Sequence, residues 1–169
     1  MTDAETQLAS LFAKYEPPMA KLGKALRAKL RARLPGLSEI VYMYENQKAL
    51  VISYSPSERG YEGVCTLALR PDEVKLHFAR GPQLAKADPS KLLQGRGAVR
   101  HVVLKAAADF DRAEIEALMA TALKLAKVRL DASARGSVII KAEEQKQRAG
   151  RATKAARSAP AKRATKARR

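Results

Sequence analysis

The side chains best suited to chemistry are two histidines, His77 and His101, one cysteine, Cys65, and a run of carboxylates at Asp109, Asp111, Glu114 and Glu116. Paired carboxylates can supply a general acid and a general base. Here they open a stretch of helical periodicity, where capping and the helix dipole favour acids. Glu143 and Glu144 read as solvated surface. Zinc takes three or four His, Cys or carboxylate ligands, and neither histidine has such a partner at helical or hairpin spacing. Each lies in a predicted strand; were those strands neighbours, both imidazoles would face one side. Cys65 sits mid-strand between apolar residues, as a small buried hydrophobe does. A single cysteine excludes an internal disulfide and a cysteine-based zinc site. No Gly-x-Ser-x-Gly elbow occurs. The expectation is a binding protein, not an enzyme.

Gln94-Gly95-Arg96-Gly97 has the look of a phosphate-cradling loop. It lacks a Gly-Lys-Ser/Thr ending and leads into a strand instead of a helix, so no helix dipole would face a phosphate. A tight turn is the expectation. Arg96 and Arg100 flank it and, with His77 and His101, leave a ligand or anion contact open.

These residues need elements to position them. Leu8, Leu11, Phe12 and Tyr15 recur at helical spacing, after Thr2 and Glu5 at capping-box spacing. Pro17-Pro18 opens a second helix with the stripe Met19, Leu22, Leu26, Leu30 and Leu34, ended by Pro35-Gly36. The period then changes to two. Strands are predicted from Ser38 to Tyr44, Ala49 to Tyr54, Gly63 to Leu69, Val74 to Ala79 and Val99 to Leu104, with a short edge strand at Val138 to Ile140. Between the last two lies a long helix with Asp111 as N-cap and Ile115, Leu118, Met119, Ala122, Leu125 and Ala126 as its buried stripe. Short turns make such strands antiparallel. Segregated helices and strands predict an α+β fold: two N-terminal helices, an antiparallel sheet of five to six short strands and a C-terminal helix, all helices on one face. Displayed on the open sheet face, the tyrosines would offer a surface on which bases stack; but Tyr42 and Tyr44 share parity with Ile40, and Tyr54 with Leu50 and Ile52, so all three are expected to face the helices.

Charge divides the 169 residues in two. Of 33 Lys+Arg and 17 Asp+Glu, every acid lies at or before Glu144. Residues 145–169 carry Lys146, Arg148, Arg151, Lys154, Arg157, Lys162, Arg163, Lys166, Arg168 and Arg169 with no acid, a charge of +10; the body 1–144 carries +6. The basic segment holds no aromatic or large aliphatic residue and cannot build a core, so disorder is expected. Like-charged arms of this composition contact DNA or RNA by releasing counterions, without reading sequence; a merely solubilising extension is the other reading. No run is long enough to span a membrane. The N-terminus lacks an apolar stretch behind a basic cluster, so a cytoplasmic, and with the basic segment a nucleoid-associated, location is expected.

Leu37-Ser-Glu-Ile-Val-Tyr42, then Gly95-Arg-Gly-Ala-Val-Arg-His-Val102 leading into Asp109-Phe-Asp-Arg-Ala-Glu-Ile115, and Val138-Ile-Ile-Lys-Ala-Glu-Glu-Gln-Lys146, resemble the bacterial YdhG-like domain family. The resemblance spans about Leu8 to Arg148. It implies a compact α+β binding domain inside the cell. Through the family's frataxin-like branch it also implies the alternative of an iron or small-ligand chaperone, with iron as the only cofactor suggested. The family often has a proline just after the first strand's tyrosine, where this sequence has Tyr44-Glu45-Asn46-Gln47. Clustered carboxylates, which hard iron sites favour, are used here as predicted helix caps.

Overall fold

A computed structural model describes residues 3–141. Two helices open the chain, α1 (Asp3–Phe12) and α2 (Pro17–Arg33). The chain then forms β1 (Ser38–Tyr44), β2 (Ala49–Ser55), β3 (Cys65–Leu69) and β4 (Val74–Phe78). A short helix α3 (Gly81–Ala85), strand β5 (Arg100–Val103), helix α4 (Ala113–Leu125) and strand β6 (Val138–Ile140) complete it. The fold is α+β, as expected.

The six strands lie in the order β5-β4-β3-β2-β1-β6. Five form an antiparallel meander. β6 instead runs parallel to β1, pairing Glu39 with Val138 and Val41 with Ile140. That corrects an all-antiparallel expectation. The link from β5 to β6 passes through α4 and so returns the chain to the start of β1, not to its end.

The helices cover one face. Leu8, Phe12 and Tyr15 from the first segment and Leu26, Leu30 and Leu34 from the second are buried. Met19 and Leu22, at the start of the α2 stripe, are only half-buried. In α4 the buried set is Ile115, Leu118, Met119, Ala122 and Leu123, while Leu125 and Ala126 are partly exposed. These side chains meet Val41, Met43, Leu50, Ile52, Tyr54, Leu67 and Leu76 of the sheet in one core.

Two caps differ from expectation. α4 begins at Ala113 with Arg112 as its N-cap, because residues 107–111 form a separate 3-10 turn. Asp109 caps that turn by accepting the Lys105 and Ala106 N–H groups at 2.8 and 2.9 Å. Asp111 pairs instead with Lys29. Thr2 lies outside the described residues, and the Glu5 carboxylate accepts from Arg27 and Arg31 of α2.

Candidate functional site

Strand register decides which side chains can act together. The helix-facing row runs through Val41, Ile52, Leu67, Leu76 and Val102. The alternate residues, Ile40, Ser53, Thr66, His77 and His101, therefore lie side by side on the opposite face. Beside them run Tyr42, Val51, Ala68, Lys75 and Val103, with Tyr44 beyond Tyr42.

Tyr42 and Tyr44 thus point away from the helices, contrary to expectation, and only Tyr54 faces them. Ile40 and Val41 are both fully buried, so apolar character cannot say which parity is the core. The two tyrosine rings stack with centroids 6.2 Å apart and planes at 27°. Part of this face is roofed by the β2–β3 loop: Ser53 Oγ donates to the Gly60 carbonyl at 2.8 Å, and Gly60 lies against the Tyr42 ring.

His77 and His101 are direct cross-strand partners, with ring centroids 5.4 Å apart. Burial, then the neighbouring His101, Lys75 and Arg70, lower the His77 pKa from 6.5 to about 4, with Glu73 opposing. Burial and Lys75 also lower that of His101. Both imidazoles are neutral at neutral pH. An unfolded His77 takes up a proton near pH 6.5, whereas the folded one waits until about 4. The stability contributed by keeping His77 neutral is therefore fully present above 6.5, falls as pH drops from 6.5 toward 4, and is lost below. Taking about 1.4 kcal/mol per unit and discounting for partial exposure, the loss is about 2 kcal/mol. Denaturant titrations of the native chain between neutral pH and pH about 4 should show this slope, and His77→Phe should flatten it.

The four residues singled out for anion contact do not form one site. Arg100 lies on the other side of β5 from His101; its side chain rests on Gly81 of α3, and its Nε donates to the Gly97 carbonyl at 3.4 Å. Arg96 is exposed in the loop before β5. That loop is a turn: Gln94 and His101 exchange backbone hydrogen bonds of 2.7 and 3.0 Å, and Gly95 takes a φ of +100°, which glycine alone adopts readily. The ten cations of 145–169 lie outside the described residues.

The carboxylate run forms no acid–base pair. Asp109 is held below its usual pKa by the Ala106 and Lys105 N–H groups. Glu114 pairs with Arg112, and Glu116 pairs with Arg33 at 2.7 Å. Cys65 is buried, which pushes its thiol up to about 12. Among the described residues, no group of three or more His, Cys, Asp or Glu is placed to hold a metal ion. None of the described helices is long and apolar enough to cross a membrane.

Sequence reading missed a buried ionic cluster. Arg27 grips Glu39 through Nε and Nη2 at 2.8 and 2.6 Å and reaches Glu5 at 2.9 Å. The Glu39 side chain is 4% exposed. Burial alone would lower the Arg27 pKa, but the hydrogen bonds it donates to Glu39 and Glu5 raise it. Tyr54, paired with Glu39 across the strands, keeps the one buried side-chain polar atom without a hydrogen-bond partner among the described residues, its hydroxyl oxygen. The available signal was an acid at the parity of Val41 and Met43.

Compared with protein-family models, with curated proteins and with solved structures, the chain matches none. These comparisons lend no support to the resemblance to the YdhG-like family, which rests on the quoted sequence segments alone.

Proposed function

We propose that the protein is a non-enzymatic binding module of the cytoplasm that contacts nucleic acid through the basic segment 145–169 without reading its sequence. The observation that carries this reading is the segment's ten cations with no acid. Such a block binds the phosphate backbone and releases condensed counterions. The α+β body is itself net positive at +6, so its long-range field adds to the attraction.

The test compares the native chain with a full-length variant in which all ten cations become glutamine. Native affinity for duplex DNA should fall with salt at a log–log slope of about −0.9 per phosphate neutralised. The variant should bind at least about tenfold more weakly and lose most of that slope. Equal affinity and equal slope in the two chains would sink the proposal.

A further inference from the structure

We propose that the open face of the sheet is a stacking platform for unpaired bases, so that the protein prefers single-stranded nucleic acid to duplex; this rests on the proposed role of the basic segment. The face carries two aromatic pairs, Tyr42–Tyr44 on β1 and His77–His101 on β4 and β5. Three strand spacings of about 4.8 Å separate them, about 14 Å in all. The floor between is made of Val51, Thr66 and Ala68, while Ser53 beside them is buried under the Gly60 turn. Every base has a π-face, and tyrosine and histidine rings on a sheet accept it without regard to sequence.

The imidazoles of this face are neutral at neutral pH, so they offer rings and not charge. None of the described strand residues on this face is acidic; the acid in the strands, Glu39, lies on the helix side. At its margin Glu73 is taken up by Lys75 at 2.6 Å. Arg70 is exposed at the end of β3, donating to Gln47 at 3.2 Å. Phosphates therefore meet no uncompensated carboxylate among the strands of this face.

The last described residue lies at this edge: the Lys141 N–H donates to the Val41 carbonyl at 2.8 Å, next to Tyr42 in β1, and the basic segment 145–169 follows it in sequence. Half-buried rings on a broad sheet cannot enter the groove of a duplex, whose bases are stacked on one another. Splayed, unpaired bases can lie on them.

The test uses full-length chains, an oligothymidylate single strand and a duplex of the same length. The native chain should bind the single strand more tightly at equal salt. Tyr44→Val and His101→Val should each weaken single-strand binding about tenfold and leave duplex binding unchanged. The chain has five tyrosines and no tryptophan, so its intrinsic emission reports the tyrosines directly, and the single strand should quench it. That readout on the native chain decides the matter should either variant fail to fold. Absence of quenching, equal native affinity for both probes, or folded variants with native single-strand affinity would overturn the platform. None of these outcomes touches the basic segment, whose role fails separately if the ten-glutamine chain binds both probes as the native chain does.

Discussion

Replacing Arg27 by methionine is expected to lower folding stability by about 3–5 kcal/mol, the usual cost of removing one partner from a buried ion pair. The substitution keeps most of the packing volume. It strands the Glu39 carboxylate, whose side chain is 4% exposed and whose nearest remaining cation is Arg31 Nε at 3.9 Å. The Tyr54 hydroxyl beside it offers no hydrogen bond of good geometry. Glu5 keeps Arg31 at 3.0 Å, so the penalty falls mainly on Glu39. Adding Glu39→Met should recover most of the loss, because a wholly apolar replacement removes the stranded charge as well. Chemical denaturation of the four chains of this double-mutant cycle measures the coupling, expected to be at least about 2 kcal/mol. Additive losses would show that Arg27 contributes by packing alone.

The second large effect is expected at Gly136. A Cβ there would overlap the carbonyl of Leu37, with the Ser38 nitrogen 3.0 Å away. Both neighbours are backbone and cannot swing aside as a flexible side chain can. Gly136→Ala should therefore cost about 3 kcal/mol, the upper end for forced overpacking. The damage should be local in kind. It lies beside the start of the β1–β6 pairing, where the Glu39 N–H donates to the Ser137 carbonyl at 2.8 Å. Amide exchange at Glu39 and Lys141 should accelerate in the variant more than exchange at the β2–β3 pairing. Gly97→Ala is the control: a Cβ there meets nothing within 4 Å, so its effect should stay within about 0.5 kcal/mol.

Both effects bear on what the sequence could reveal. The helix stripes were legible because 3.6-residue periodicity is written into one segment at a time, and Leu26, Leu30 and Leu34 are buried as their spacing predicts. Strand positions were legible from proline and glycine punctuation. The facing of β1 was not. Its acid, Glu39, stands on the core side because Arg27 of α2 neutralises it there. Ile40 on the other parity is as buried as Val41, so sharing its parity made Tyr42 and Tyr44 look like core residues. Cross-strand placement also decided the histidines: His77 and His101 are partners only because β4 and β5 are neighbours, a fact of pairing and not of spacing. The parallel placement of β6 is likewise a long-range outcome that short turn rules do not reach.

The β1–β6 pairing has a consequence for the order of folding. Ser137 donates to Ser38 across 99 residues of chain. The β1–β2 and β3–β4 pairs close through short turns, and these hairpins can form early. The outer edge of β1 stays bare until nearly all the described chain has been made and α4 has docked. A bare edge is a template for pairing with another molecule. The interval before β6 arrives is therefore when newly synthesised copies are most exposed to one another, and the last short strand acts as the latch that ends that exposure.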